Sequence, residues 1–140
     1  MVTKQILIVD DEVQTLALLS ILFHRYGFMV LKAENARSAL NILESTTPDL
    51  LIADVMMPEM DGFELCQHVR ARFKTATMPI ILFSTFFDSR TVQKGIEAGA
   101  NECITKLTPH RDVLAKVRSM LGIGHEGASG KDFNSAYVRQ

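Results

Sequence analysis

Two adjacent acids, Asp10 and Asp11, stand near the start of the chain, and Asp54, Ser84 and Lys106 follow farther along. Three carboxylates brought together repel and raise one another's pKa unless a cation joins them. Their hard oxygens suit Mg²⁺, which keeps some water and often takes only one or two protein carboxylates. A metal held this way has open positions for phosphate oxygens. A lysine adds positive charge there, and a serine adds a hydroxyl donor. Such a set neutralises and orients a phosphoryl group during in-line transfer, and one carboxylate can act as the nucleophile. Taken singly, each residue has a duller explanation. An Asp after a strand is commonly a helix cap or turn former, a Ser a turn former, and a Lys a solvated charge. The case for chemistry depends on all of them arriving in one place.

The elements that would bring them together are legible. Apolar runs of strand length recur at Ile6–Val9, Phe28–Leu31, Leu50–Ala53, Ile80–Phe83 and, more weakly, Cys103–Thr105. Between them the apolar spacing is helical. Val13, Leu16, Leu19, Leu22 and Phe23 suit one helix; Ala36, Ala39, Leu40 and Leu43 a second; Phe63, Leu65, Cys66 and Val69 a third. Val92, Ile96 and Ala98 mark a fourth, and Val113, Leu114, Val117 and Leu121 a fifth. Gly27, Pro48, Pro79 and Gly99 fall just before strands, and Gly62 and Pro109 at helix starts. The pattern is β-α repeated five times. It predicts an α/β fold with a parallel sheet covered by helices on both faces, whose strands read as continuous apolar runs. Ligands of such sheets bind beyond the carboxyl ends of the strands. The first strand delivers Asp10 and Asp11 there, the third Asp54, the fourth Ser84 and the fifth Lys106.

Composition bounds the rest. A chain of 140 residues with 47% hydrophobic and 22% charged residues suits one domain with a proper core. A net charge of −1, without blocks of like charge, gives no support to direct nucleic-acid or membrane binding. Cys66 and Cys103, far apart and without metal-ligand spacing, read as reduced thiols. His24, His68, His110 and His125 are scattered. Acids interrupt the first apolar run, so no secretory signal is visible, and no apolar stretch is long enough to span a bilayer. A cytoplasmic location is expected. From Gly122 the chain is rich in Gly and Ser. Residues 122–140 read as a tail or linker, in which Phe133 and Tyr137 could dock a single helical turn.

The pieces "IVDDE", "DVMMPEMDG", Ser84 and the Lys of "ITK", in that order, resemble the receiver domain of two-component response regulators, over residues 1–121. The resemblance implies a flavodoxin-like (βα)5 fold, and the strand order 2-1-3-4-5 comes from it and not from the residues. It assigns Asp54 as phosphoacceptor, Asp11 as the direct Mg²⁺ ligand, Asp10 as an acid acting through water, and Met56 as the donor of a metal-binding backbone carbonyl. Ser84 becomes the switch hydroxyl and Lys106 the phosphate-pairing lysine. The implied partners are a histidine kinase or phosphotransfer protein and an unknown downstream protein, with homodimer contacts through the face of helix 4, strand 5 and helix 5. The chain would catalyse only its own phosphorylation and dephosphorylation.

Two residues depart from the family pattern. Leu107 replaces the usual Pro after the lysine, so the expectation is either a trans bond with a shifted loop or a cis bond costing roughly 3–4 kcal/mol. Cys103 replaces the switch aromatic of the fifth strand, while Phe86 and Phe87 enrich the loop after Ser84. Two other functions compete. A Mg²⁺ phosphohydrolase with an Asp nucleophile would carry Asp-x-Asp on the first strand, which "DDE" does not match. A phosphorylation-independent interaction module would lack an acid, the Ser or the Lys, and none is missing.

Overall fold

The computed structural model describes residues 3–124. The described chain divides into two units, the first ending at Thr108 and the second beginning at Pro109. The first holds a five-stranded parallel sheet: β1 (Gln5–Val9), β2 (Met29–Ala33), β3 (Leu50–Asp54), β4 (Ile80–Ser84) and β5 (Glu102–Thr105). Its helices are α1 (Val13–Arg25), α2 (Ala36–Ser45), α3 (Gly62–Ala71) and α4 (Ser89–Ala98). The strand order is 2-1-3-4-5, the flavodoxin-like order. In the second unit the described element is α5 (His110–Met120), which opens at Pro109 and buries Val113, Leu114, Ala115 and Val117. The expected tail lies outside the described residues from residue 125 on, and Phe133, Tyr137 and His125 with it.

The continuous apolar runs have the reason anticipated for them. Every residue of β3 and β4 is buried, as is β1 from Ile6 onward, so both faces of the central strands are covered. On one face Leu7, Val9, Leu51, Ala53, Ile80 and Leu82 join Ala39 and Leu43 of α2, Leu65 and Val69 of α3, and Ala98 of α4. The edge strands differ. β2 is only partly buried and begins at Met29, with Phe28 buried just before it, where its ring meets Phe23 edge-on at 5.7 Å.

Helix starts follow local chemistry. The side chains of Asn35, Asp61 and Asp88 accept the backbone N–H of Ser38, Glu64 and Thr91 at 2.8, 2.9 and 2.8 Å, capping α2, α3 and α4. In α3 and α4 the bond is reciprocated as a capping box. Gly99 ends α4 at φ +114°, a left-handed conformation open to glycine.

Two helical faces differ from the sequence expectation. Val13 is exposed, because it opens the first turn of α1 and the buried stripe runs through Leu16, Leu19 and Phe23. Ile96 is also exposed, because α4 turns Gly95 and Ala98 inward. A Cβ on Gly95 would sit 2.6 Å from the Cys103 Sγ, so a small residue sets how close α4 comes to β5.

Candidate functional site

The sheet ladder continues one residue past several strands and so fixes the residues that follow. The N–H of Asp10 donates to the carbonyl of Ala33 at 3.1 Å, that of Val55 to Phe83 at 3.2 Å, and that of Lys106 to Ser84 at 2.7 Å. Asp10, Asp54, Ser84 and Lys106 are thereby held at one edge of the sheet by backbone bonds. Gly62 tightens the same edge from α3. A Cβ there would collide with the Asp54 carbonyl oxygen, and the Gly62 N–H donates to the Val55 carbonyl at 2.9 Å. The "DG" that starts α3 is therefore part of how Asp54 is placed.

The side chains converge as the sequence predicted. Carboxylate oxygens of Asp10, Asp11 and Asp54 all lie within 4.8 Å of one another. Asp10 and Asp54 are buried and Asp11 is exposed. The Lys106 ammonium reaches Asp10 Oδ2 at 2.9 Å, Glu12 Oε1 at 3.1 Å and Asp54 Oδ1 at 3.3 Å. Asp10 Oδ1 accepts the Glu12 backbone N–H at 2.8 Å, so both oxygens of Asp10 are engaged.

Ser84 is buried at the end of β4, and its Oγ is reached by the Phe86 N–H at 3.5 Å, a long contact. Met56 lies in the loop just past Asp54 with its side chain exposed. The Lys106–Leu107 bond is trans, the first of the two outcomes expected there, as are all peptide bonds among the described residues. The turn after β5 closes without proline: the Thr108 N–H donates to the Thr105 carbonyl at 3.1 Å, and their hydroxyls pair at 3.2 Å. Leu107 at its tip is exposed.

Glu12, the last residue of "IVDDE", is a third partner of Lys106 that the motif alone does not assign. A signal was available. Glu is a poor choice for the residue that opens a helix, and here its side chain makes no capping bond.

Charge decides what the cluster can hold. Burial pushes the Asp54 carboxyl up to about 7, the Asp10 charge adds to the rise, and Lys106 opposes it. Burial alone would lower the Lys106 ammonium, but its bonds to Asp10 and Glu12 and the nearby Asp54 charge outweigh this and raise it, so it stays protonated. The Lys106 hydrogen bond and charge hold the Glu12 carboxyl below its usual range. Three carboxylates thus contact one ammonium, and Asp11 brings a fourth acid to the same cluster. The donor set is all hard oxygen, close-set and in excess of positive charge, which fits a divalent ion of the Mg²⁺ type.

Asp54 holds its proton in the folded protein over a range where the unfolded chain has released it. Its contribution to metal-free stability is therefore intact below about pH 4, falls as pH rises toward 7, and is flat above. Asp54→Asn should remove this slope. In denaturant titrations with chelator, the variant should gain on wild type between those limits, by about 2 to 4 kcal/mol at the plateau, the upper figure being the full rise from 3.8 to about 7 and the lower one allowing for solvent screening. A difference independent of pH would contradict the charge balance described here.

Residues 6–118 match the family model described as the response regulator receiver domain. The chain is 35% identical over 118 residues to the alkaline phosphatase synthesis transcriptional regulatory protein PhoP of Bacillus subtilis, covering 84% of this chain and 48% of that one. The chain thus spans about half the length of such curated relatives. It is 42% identical over 101 residues to an uncharacterised 14.6 kDa protein of Leptolyngbya boryana, covering 72% of this chain and 77% of that one. Among solved structures, the signal receiver domain of a signal transduction histidine kinase from Syntrophus aciditrophicus superposes with a TM-score of 0.80 at 34% identity. That match covers 86% of this chain and 91% of the other.

Proposed function

This chain belongs to the response regulator receiver domain family, and we propose that it accepts one phosphoryl group on Asp54 from a phosphohistidine donor and uses it as a signalling switch. The observation that carries this reading is the placement of Asp54. It is nearly buried, backed by Asp10 and Asp11 within 4.8 Å, and faced by Lys106 at 3.3 Å.

An Asp54 oxygen forms the O–P bond while the donor's N–P bond breaks and the imidazole leaves. Lys106 favours the ionised, nucleophilic form of Asp54 and pairs with phosphoryl oxygens as charge arrives. Asp11, Asp54 and the Met56 carbonyl would hold Mg²⁺, with Asp10 acting through water. When bound, Mg²⁺ supplies charge neutralisation at the phosphoryl oxygens. Ser84 offers its hydroxyl to the new phosphoryl group.

The partners that fit this chemistry are a histidine kinase or phosphotransfer protein upstream and a downstream protein or output domain. No described helix is long and apolar enough to cross a membrane. The output surface of this reading is α4 with β5. Gly95 brings α4 so close to Cys103 that a large ring could not enter there. Phe87, partly buried against the core, takes the transmitting role of the absent aromatic, while Phe86 stays in solvent.

The linkage itself tests the reading. Protein labelled by acetyl phosphate should lose its phosphoryl group to neutral hydroxylamine, which cleaves an acyl phosphate. A label that survives would be a serine or threonine ester and would move the site away from Asp54.

A further inference from the structure

Lys106 is shared among three acids, and the shortest contact is not to the proposed phosphoacceptor. Asp10 lies at 2.9 Å, Glu12 at 3.1 Å and Asp54 at 3.3 Å. Asp10 is buried and fixed by its bond to the Glu12 N–H. Glu12 is different. Its side chain is 62% exposed, and it stands at the N-cap of α1 without capping the helix. The other three α-helices of the same unit are capped by the short side chains of Asn35, Asp61 and Asp88. Glu12 instead sends its carboxylate across to Lys106, and the Thr15 hydroxyl donates to the same Oε1 at 3.3 Å.

We infer that Glu12 is a positioning residue for phosphoryl transfer: it draws the Lys106 ammonium partly off Asp54 in the resting state and yields it when a phosphoryl group arrives. A lysine cannot donate fully to three carboxylates and to phosphoryl oxygens at once, because its three N–H groups are fixed in number and direction. Of its partners, Glu12 has the most solvent to return to, so it is the one released at least cost. Glu12 therefore sets a threshold on phosphorylation through Lys106. This inference rests on the phosphoacceptor reading and adds a residue to it.

The test compares wild type and Glu12→Gln, which keeps the size and removes the charge. The rate of labelling by acetyl phosphate with Mg²⁺ should rise roughly 2- to 5-fold, the range set by one exposed ion pair. In a Lys106→Ala background the same substitution should change the rate by less than about 1.5-fold, because the coupling runs through the lysine. NMR of the Lys106 side-chain Nζ supplies a readout that does not depend on rate. The Nζ resonance should differ between the two resting proteins and coincide once both are phosphorylated. An unchanged rate, or a resting Nζ resonance that Glu12→Gln does not move, would overturn the inference. An equal acceleration with Lys106 removed would also overturn it, by reducing Glu12 to simple repulsion of the donor. Failure of wild type to label at all would instead defeat the phosphoacceptor reading.

Discussion

Asp11→Ala is expected to lower Mg²⁺-dependent phosphoryl uptake by roughly 10²-fold, the scale on which loss of one charge-stabilising group acts in such sites. The acids of the pair are not equivalent. Asp10 has one oxygen on the Glu12 N–H and the other on Lys106. Asp11 is exposed, with an oxygen within 4.8 Å of those of Asp10 and Asp54, so it is the acid free to offer a direct ligand. Removing it also removes a like charge beside Asp54, whose carboxyl is already pushed up by burial and by Asp10. The same variant should therefore melt at a higher temperature than wild type without metal and gain less from added Mg²⁺. Labelling rates across a Mg²⁺ titration, with melting curves in chelator, check both halves. Undiminished labelling of Asp11→Ala in excess chelator would remove the metal from the account.

The phosphorylated protein is expected to be long-lived, and Met56→Asn or Phe86→His should shorten its lifetime by roughly 10- to 100-fold. Both side chains project from the loops that follow β3 and β4, 72% and 67% exposed respectively. Each is large and apolar, so neither offers an atom to orient an attacking water or to take its proton. Hydrolysis of the acyl phosphate then proceeds without general-base or positioning help. An amide or imidazole at these positions would supply it, and the exposure means that either change should leave the core undisturbed. Decay of purified phosphoprotein after removal of the donor measures the effect directly. Decay no faster than wild type in both variants would show that the water is excluded by something else.

The site was more legible in the sequence than the surfaces around it, for physical reasons. Strands buried on both faces must be continuous apolar runs, and a polar residue that ends such a run is conspicuous. Asp10, Asp54, Ser84 and Lys106 were found this way, and the ladder bonds of Asp10 and Lys106 are what hold them in register. On α4 Ala98 is buried as its spacing suggests, but Gly95 beside it carries no apolar signal, whereas the exposed Ile96 does. The pairing of Glu12 with Lys106 joins residues 94 positions apart, and no local pattern encodes it beyond the poor capping residue. The direction of the Asp54 shift follows from its depth as much as from its neighbours, and depth is a property of the folded chain. The trans turn at Leu107 was open in the sequence, since the closing bonds between Thr105 and Thr108 depend on the path the loop takes.

The central claim is that Asp54 is the phosphoacceptor. Intact-mass spectrometry after incubation with acetyl phosphate and Mg²⁺, on wild type and on Asp54→Asn, tests it most directly. Wild type should gain one phosphoryl group, and Asp54→Asn should gain none while remaining folded. A wild type that gains nothing, or an Asp54→Asn variant that gains the group as readily, would contradict it.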